Sequence, residues 1–402
     1  MTTLRIAIVA GETSGDALGG ALIGALVGSL RERGAAVEFL GVAGPAMRAA
    51  GCQPLADAHE LAVMGLIEPL RHLPRLLRLR SMLIERISAW KPAIFIGIDA
   101  PAFNLGLAER FKARGIATVQ YVSPQVWAWR PGRVRRIARC CDLVMCLLPF
   151  EPAFYRHHAV RAEFVGHPLA DQIPLQPDRA AARAALGVQA ALPLIALLPG
   201  SRLGEMQRLA PVFLATAIEL ARRRPALQWV APMANAAVRA EFVRVLQATP
   251  GAAQLNLRIL DGQARLGLTA ADAALVTSGT ATLEALLCRC PMVVAYRVGA
   301  LTALLLRTLK LVRLAYFSLP NLLAGAALVP EFFQQAVTSA NLAGALERAL
   351  DDAAYREYLQ REFLQVHQSL RAGGAASAAQ SVLRLLRDQG LDQGLELEGL
   401  SR

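Results

Sequence analysis

The sequence predicts an α/β protein built from two doubly wound, Rossmann-like units in series, closed by a helical tail. Three observations carry this. Short apolar runs alternate with helix-like segments, the pattern of parallel sheets covered by helices. The pattern pauses at a polar, alanine-rich stretch near residue 180 and then restarts. Each half opens on an apolar run that leads into a glycine turn. The 402 residues leave room for two domains, and a hydrophobic fraction of 54% against 18% charged residues excludes a disordered chain.

Candidate strands of the first half are RIAIVA (5–10), VEFLGV (37–42), AIFIGID (93–99), ATVQYVS (117–123), DLVMCLL (142–148) and AEFVG (162–166). The segment LQPDRAAARAALG (175–187) reads as a linker and a short helix. Strands resume at 192–202, 227–233, 255–260, 273–279 and 291–297. The expected division is a first domain over 1–170, a second over 171–345 and a helical tail over 346–402. The tail either crosses back over the first domain or is exchanged with a partner chain in a homodimer; periodicity is compatible with both. Two such domains imply a cleft, with ligands beyond the carboxyl ends of the strands.

The net charge is +12, and 40 of the 43 basic residues are arginine, since only Lys91, Lys112 and Lys310 are lysines. Such a bias beside abundant alanine is compositional, so totals alone do not argue for phosphate binding, although a basic surface suits acidic partners. The cysteines at 52, 140, 141, 146, 288 and 290 form no C-x-x-C pair and read as buried thiols of a reducing cytoplasm, with no metal site. No signal peptide or bilayer span is expected. The most apolar stretch, ALTALLLRTLKLVRLAYF, carries Arg307, Lys310 and Arg313.

Four loops carry candidate chemistry. GETSGD (11–16) follows the first strand where a phosphate loop would stand, yet Glu12 and Asp16 would repel a phosphate. Asp99 ends an apolar strand in FIGIDAPAFN and is either a proton acceptor for a substrate hydroxyl or the cap of the next helix. In LLPGSRLGE, Gly200 permits close approach, helix-start amides favour an anion, and Ser201 and Arg202 add a hydroxyl and a permanent cation. In LVTSGTATLEALL, Ser278, Gly279 and Thr280 open a helix toward a pyrophosphate, and Glu284 stands one turn in, suited to ribose hydroxyls. For both glycine loops the alternative is a turn and a capped core helix.

Two further stretches are less specific. YVSPQVWAWRPGRVRRIARCCD places Trp127 and Trp129 beside arginines, and reads as a surface helix with an aromatic wall; no nucleic-acid module is present. In residues 61–87, Val63, Met64, Leu66, Ile67, Leu70, Leu73, Leu76 and Leu77 alternate with Arg71, Arg75, Arg78 and Arg80, and Pro69 and Pro74 are expected to break the helix. This is either an interfacial membrane contact or an ordinary amphipathic helix on the sheet. His157, His158 and His167 lack metal partners at useful spacing, and His167 reads as structural.

In order, VAGETSGD, GIDAPAFN, YVSPQVWAWR, LPFEPAFY, GHPLAD, LLPGSR, SGTATLEALL, CPMVVAYR and SLPNLLAG resemble the bacterial lipid-A-disaccharide synthases from about residue 5 to residue 340. The resemblance implies a GT-B fold and an inverting, metal-independent glycosyl transfer without cofactor. It implies the substrates UDP-2,3-diacylglucosamine and 2,3-diacylglucosamine 1-phosphate (lipid X), at the inner face of the cytoplasmic membrane and with no nucleic acid. It places the acceptor in the first domain, so GETSGD becomes an acceptor-side loop with Glu12 important, and Asp99 the general base. In the donor domain it implies Arg202 on the departing UDP, Ser201, Ser278, Gly279 and Thr280 near the phosphates, Glu284 on the ribose and Asn321 in the donor site. It raises membrane contact for residues 61–87. One departure is Ala102, where the family commonly has a second aspartate. Two rivals are another GT-B UDP-sugar transferase or epimerase, and a non-catalytic nucleotide-binding protein at the membrane surface. A nicotinamide dehydrogenase is disfavoured, because no G-x-G-x-x-G follows a strand.

Overall fold

The computed structural model describes residues 3–62, 69–127, 131–299 and 315–391. It contains two compact units, Met1–Asp171 with Leu370–Arg402, and Gln172–Ser369.

The first unit holds β1 (Thr3–Ala10), β2 (Ala36–Ala43), β3 (Cys52–Asp57), β4 (Ile94–Ile98), β5 (Ala117–Tyr121), β6 (Leu143–Cys146) and β7 (Ala162–Phe164). They form one sheet in the order β3-β2-β1-β4-β5-β6-β7, with every pairing parallel. Strand direction is read out two residues at a time. Ile6, Ile8 and Ala10 of β1 join Leu22, Leu26 and Ile96 on one face. Ala7 and Val9 join Leu83, Phe95 and Phe111 on the other. A sheet buried on both faces explains why its central strands are continuous apolar runs.

The second unit holds β8 (Leu194–Leu198), β9 (Gln228–Met233), β10 (Leu257–Asp261), β11 (Ala273–Thr277), β12 (Met292–Tyr296) and β13 (Glu331–Phe333). Their order is β10-β9-β8-β11-β12-β13, again all parallel. Both sheets thus reverse direction beside their first strand, between β1 and β4 and between β8 and β11. Those reversals are where ligands bind in open α/β sheets.

The sequence reading missed β3 and β13. Both are edge strands, and Pro54 within β3 is tolerated there because an edge strand need not donate on both sides. The expected break at Pro69 and Pro74 is not seen: one helix runs Pro69–Trp90 with Pro74 inside it. Proline at the first helical position forfeits nothing, and one interior proline removes a single main-chain bond.

The linker helix, Arg179–Leu186, is capped by Asp178, which accepts from the Ala181 amide at 2.8 Å. Its Arg183 side chain is 8% exposed. It donates to the carbonyls of Ala270 (2.9 Å), Ala190 (2.6 Å) and Leu192 (3.1 Å), and pairs with Asp272 at 2.6 Å. The same Asp272 oxygen accepts from the Leu194 amide at the start of β8. One guanidinium therefore staples the linker to β8 and to the approach to β11.

Three helices follow β13: Ser339–Asp351, Ala353–Leu370 and Gly374–Asp388. The first two belong with the second unit through Ser369. The last lies on the first unit, where Ala378, Val382, Leu383 and Leu386 are buried in the same cluster as Leu22, Ile23 and Leu26. Arg384 and Arg161 tie it further, to Glu163 (2.7 Å) and Asp388 (2.8 Å).

Candidate active site

The acidic turn after β1 resolves into two different roles. Asp16 is 4% exposed and turned inward. Its carboxylate accepts from the amides of Gly44 (2.8 Å), Ala46 (2.8 Å) and Met47 (3.1 Å). It therefore serves the start of the helix Pro45–Ala49 after β2, where a carboxylate meets unsatisfied amides and a favourable dipole. Glu12 is exposed and extended (φ −149°, ψ 167°) just before the helix Thr13–Arg31. Of the two acidic residues of this turn, Glu12 is the exposed one.

Asp99 follows β4, next to β1 in the sheet, so the two loops share one switch point. It is half-buried. Burial holds its carboxyl above the usual aspartate range, opposed by the Ala100 amide that donates to it. Asp99 (φ 50°) and Ala100 (φ 39°) both lie in the left-handed region, as does Val122 (φ 73°) beyond the neighbouring β5. Such residues cost on the order of 1–3 kcal/mol each and gather where a structure holds a functional group in place. The capping alternative for Asp99 is not what is seen, since Ala100 occupies the cap position and no side chain caps the helix Pro101–Lys112. Ala102 is exposed on the first turn of that helix.

Beyond β5 and β6 lies a second polar group. Glu151 is 3% exposed and accepts from the Trp127 indole (3.0 Å) and the Leu148 amide (3.0 Å). Ser123 and Tyr155 share a hydrogen bond of 3.0 Å beside it. Burial pushes the Glu151 carboxyl up to about 7 despite these donors. Its folded state therefore binds a proton that the unfolded chain has already released, across the window from about 4.5 to about 7. Stability contributed by this group falls as pH rises through that window. Glu151→Gln is expected to lose less melting temperature than the parent between pH 5 and pH 8. Equal losses in both proteins would refute the assignment. His167 is also perturbed, pushed down to about 4 by burial, and its Nδ1 accepts from the Leu169 amide at 3.3 Å. It is a structural, neutral imidazole.

In the second unit the loop after β8 carries Gly200, Ser201 and Arg202. Gly200 has φ 144°, and a Cβ there would lie 2.5 Å from Glu205 Cβ, so only glycine fits. Ser201 and Arg202 are exposed, the Arg202 side chain by 82%. The amides expected to receive an anion are already engaged: Glu205 Oε2 accepts from Ser201 N (3.1 Å) and Arg202 N (3.4 Å). Glu205 was missed by the sequence reading. Its signal is a glutamate at the third helical position, where side chains reach back to helix-start amides. The Arg202 guanidinium, by contrast, lies 3.6 Å from Glu205 and is turned outward.

After β11, Gly279 (φ 150°) precedes the helix Thr280–Leu287 and Thr280 is exposed. Ser278 does not cap this helix. Its hydroxyl donates to the Phe317 carbonyl at 2.9 Å, joining the loop to the segment before the helix Leu319–Ala324. Glu284 is half-buried, its carboxyl raised by burial and lowered in part by Arg265.

Asn321 stands inside the fold. It is 1% exposed. Its amide donates to Val329 O and Glu331 Oε1, both at 2.9 Å, and its oxygen accepts from Val329 N at 2.9 Å. Both donor protons are used internally, so its side chain holds the loop. Glu331, unmarked in the sequence reading, is the centre of this group and accepts also from the amides of Phe317 (3.0 Å) and Ser318 (2.8 Å).

A cavity of about 490 Å³ opens at the carboxyl ends of β9 and β10, lined by Met233, Asn235, Arg239, Asp261 and Gly262. It lies on the same sheet edge as the two glycine loops but does not include them. All six cysteines are buried. No group of three or more His, Cys, Asp or Glu among the described residues could hold a metal ion. Of the apolar residues between 61 and 87, Leu77 is 42% exposed and Leu76 half-buried. Val63, Met64, Leu66 and Ile67, and the side chains of Leu70 and Leu73, lie outside the described residues.

Comparison with known proteins places this geometry in context. The chain is 50% identical over 384 residues to the lipid-A-disaccharide synthase of Alkalilimnicola ehrlichii, covering 94% of this chain and 98% of that one. It is 50% identical over 384 residues to that of Pseudomonas aeruginosa (95% and 98%) and 46% over 385 residues to that of Xylella fastidiosa (96% and 99%). Among solved structures it is similar in fold to a UDP-GlcNAc 2-epimerase from Neisseria meningitidis bound to UDP-GlcNAc (TM-score 0.61, 12% identity, 96% and 100% covered). It is also similar to the calicheamicin glycosyltransferase CalG4 (TM-score 0.55, 17% identity, 96% and 99% covered). These last two share the two-sheet α/β architecture of the GT-B class and no more. The family model for lipid-A-disaccharide synthetase matches residues 6–382, and with half of all positions identical across nearly the whole length, the chain belongs to the lipid-A-disaccharide synthetase family.

Proposed function

We infer that this chain is an inverting glycosyltransferase that joins UDP-2,3-diacylglucosamine to 2,3-diacylglucosamine 1-phosphate (lipid X). The products are a β-1′,6-linked disaccharide 1-phosphate and UDP. The observation that carries the reading is the 50% identity to named synthases over about 95% of the chain. The geometry agrees, because candidate groups of the required chemistry stand at the switch point of each sheet.

In this reading the acceptor 6-hydroxyl attacks the anomeric carbon as the bond from that carbon to the UDP oxygen breaks. Asp99 takes the hydroxyl proton. A carboxylate whose pKa is raised by burial is the better base, and a positioned base contributes ~10²–10⁴-fold. Glu12, exposed on the adjoining loop, contacts the acceptor side. Negative charge develops on the departing diphosphate, and Arg202 stabilises it with a cation already in place. Ser201, Thr280 and the helix-start amides after Gly279 receive the phosphates, and Glu284 accepts from the ribose hydroxyls. Asn321 contributes by fixing the loop that Ser278 contacts. The cavity between the ends of β9 and β10 suits the base end of the nucleotide.

The test is UDP and disaccharide formation from the two lipid substrates in detergent, with and without EDTA. Turnover insensitive to EDTA is expected. UDP binding without turnover by folded protein would favour the scaffold reading.

Among the described residues no helix is long and apolar enough to cross a membrane. The acyl substrates place the enzyme at the inner membrane surface, and residues 61–87 are the contact we propose. Arg75 (61% exposed) and Arg78 on the helix Pro69–Trp90 suit anionic headgroups, each arginine adding about 1 kcal/mol. Serine at Leu66, Ile67 and Leu70 together is expected to reduce binding to anionic vesicles. Unchanged binding would sink the assignment.

A further inference from the structure

The turn that carries Asp99 is left-handed without glycine. Asp99, Ala100 and, on the neighbouring strand end, Val122 all have positive φ. If a tight turn were the only requirement, glycine or asparagine would satisfy it at Ala100 and Val122 without strain. Something must hold this conformation, and two buried carboxamides do. Asn104, fully buried on the helix Pro101–Lys112, aims its NH₂ group at the carbonyls of Asp99 (2.9 Å), Ile98 (3.1 Å) and Val9 (3.4 Å). Gln120, 1% exposed on β5, aims its own at the carbonyls of Asp99 (3.1 Å), Tyr121 (3.3 Å) and Val122 (3.3 Å). Both amides therefore meet on the Asp99 carbonyl.

The orientation of Asn104 is informative. Its Oδ1 is buried with no hydrogen-bond partner among the described residues. Turning the amide over would set that oxygen against three carbonyls, so the side chain keeps an unsatisfied acceptor in order to donate. Asn104 packs closely on β4: a Cβ on Gly97 would lie 2.7 Å from Asn104 Cβ. The Asp99 amide is fixed as well, donating to Tyr121 O at 2.9 Å.

We propose that Asn104 and Gln120 are positioning residues for Asp99, a pair of buried amides that clamp its main-chain carbonyl and so set where its carboxylate stands. The inference rests on Asp99 being the base. Neither amide touches substrate; they act on the aim of the carboxylate. Loss of aim lowers turnover more than binding, because misplacing a reacting group by about 1 Å can cost 10²-fold. It also lets the carboxyl relax toward water, and its pKa then falls toward the ordinary range.

The experiment compares Gln120→Met, Asn104→Ala and Asp99→Asn with the parent, reading kcat, KM for both substrates, UDP affinity and the acid limb of the kcat profile. For Gln120→Met we expect kcat to fall roughly 10–100-fold with KM within about threefold and UDP affinity unchanged. The acid limb moves to lower pH. Asn104→Ala behaves likewise where it folds; Gln120→Met carries the test where it does not. Adding Ala100→Gly, which removes strain at the clamped turn, recovers part of the loss. In the Asp99→Asn background, Gln120→Met has no further effect on kcat. Parent-like kcat and acid limb in the amide variants, with Asp99→Asn inactive, overturns the clamp while the base stands. A parent-like Asp99→Asn overturns the base itself.

Discussion

Asp99→Asn is expected to lower kcat by ~10²–10⁴-fold while leaving UDP affinity unchanged. The substitution keeps the size and one acceptor of the side chain but cannot take a proton, so it separates base chemistry from shape. Asp99 is half-buried at the end of β4, its carboxyl raised by desolvation. It therefore loses its negative charge at a higher pH than a surface aspartate, and the acid limb of the pH–rate profile lies above the ordinary aspartate range. Single-turnover measurements with the nucleotide donor check the loss directly. An Asn variant that turns over within about tenfold of the parent would transfer the role of base elsewhere.

The second large effect concerns stability. Arg183→Met is expected to destabilise the second unit by about 3–5 kcal/mol. The guanidinium donates to four carbonyls and to Asp272, and methionine fills a similar volume without one donor. The carbonyls of Ala270, Gln189, Ala190 and Leu192 would lose that partner, and Asp272 would keep the Leu194 amide and, as its ion pair, Arg179, which is 47% exposed. The test is urea unfolding with Asp272→Asn and the double variant completing the cycle. A cost below about 1 kcal/mol, the level of an exposed ion pair, would contradict the staple.

The units and their central strands were legible because a doubly covered parallel sheet writes itself as apolar runs. Residues 94–98, 194–198 and 273–277 need no context to be recognised. The glycine turns were legible for a similar reason: Gly200 stands where no side chain fits, a purely local constraint. What failed to show was fixed at a distance. Asp16 reads as part of an acidic loop until Gly44, Ala46 and Met47 are brought to it. Asn321 matches a donor-site motif, yet its hydrogen bonding depends on Val329 and Glu331, eight and ten residues on. The edge strands β3 and β13 escaped because one-sided pairing relaxes the apolar pattern. Family resemblance named the loops; only packing could say which side chains in them are spoken for.

The helix Gly374–Asp388 has a consequence for the order in which this protein is made. Its Ala378, Val382, Leu383 and Leu386 complete a core whose other buried walls come from residues 4–165. During synthesis those walls emerge first, and the missing piece leaves the ribosome only after the second unit up to Ser369. At about 5–20 residues per second, some 200 intervening residues amount to tens of seconds. Throughout that interval Leu22, Ile23 and Leu26 lack their final cover. The second unit carries no such debt to the far end of the chain, so the part translated first is the part that finishes folding last.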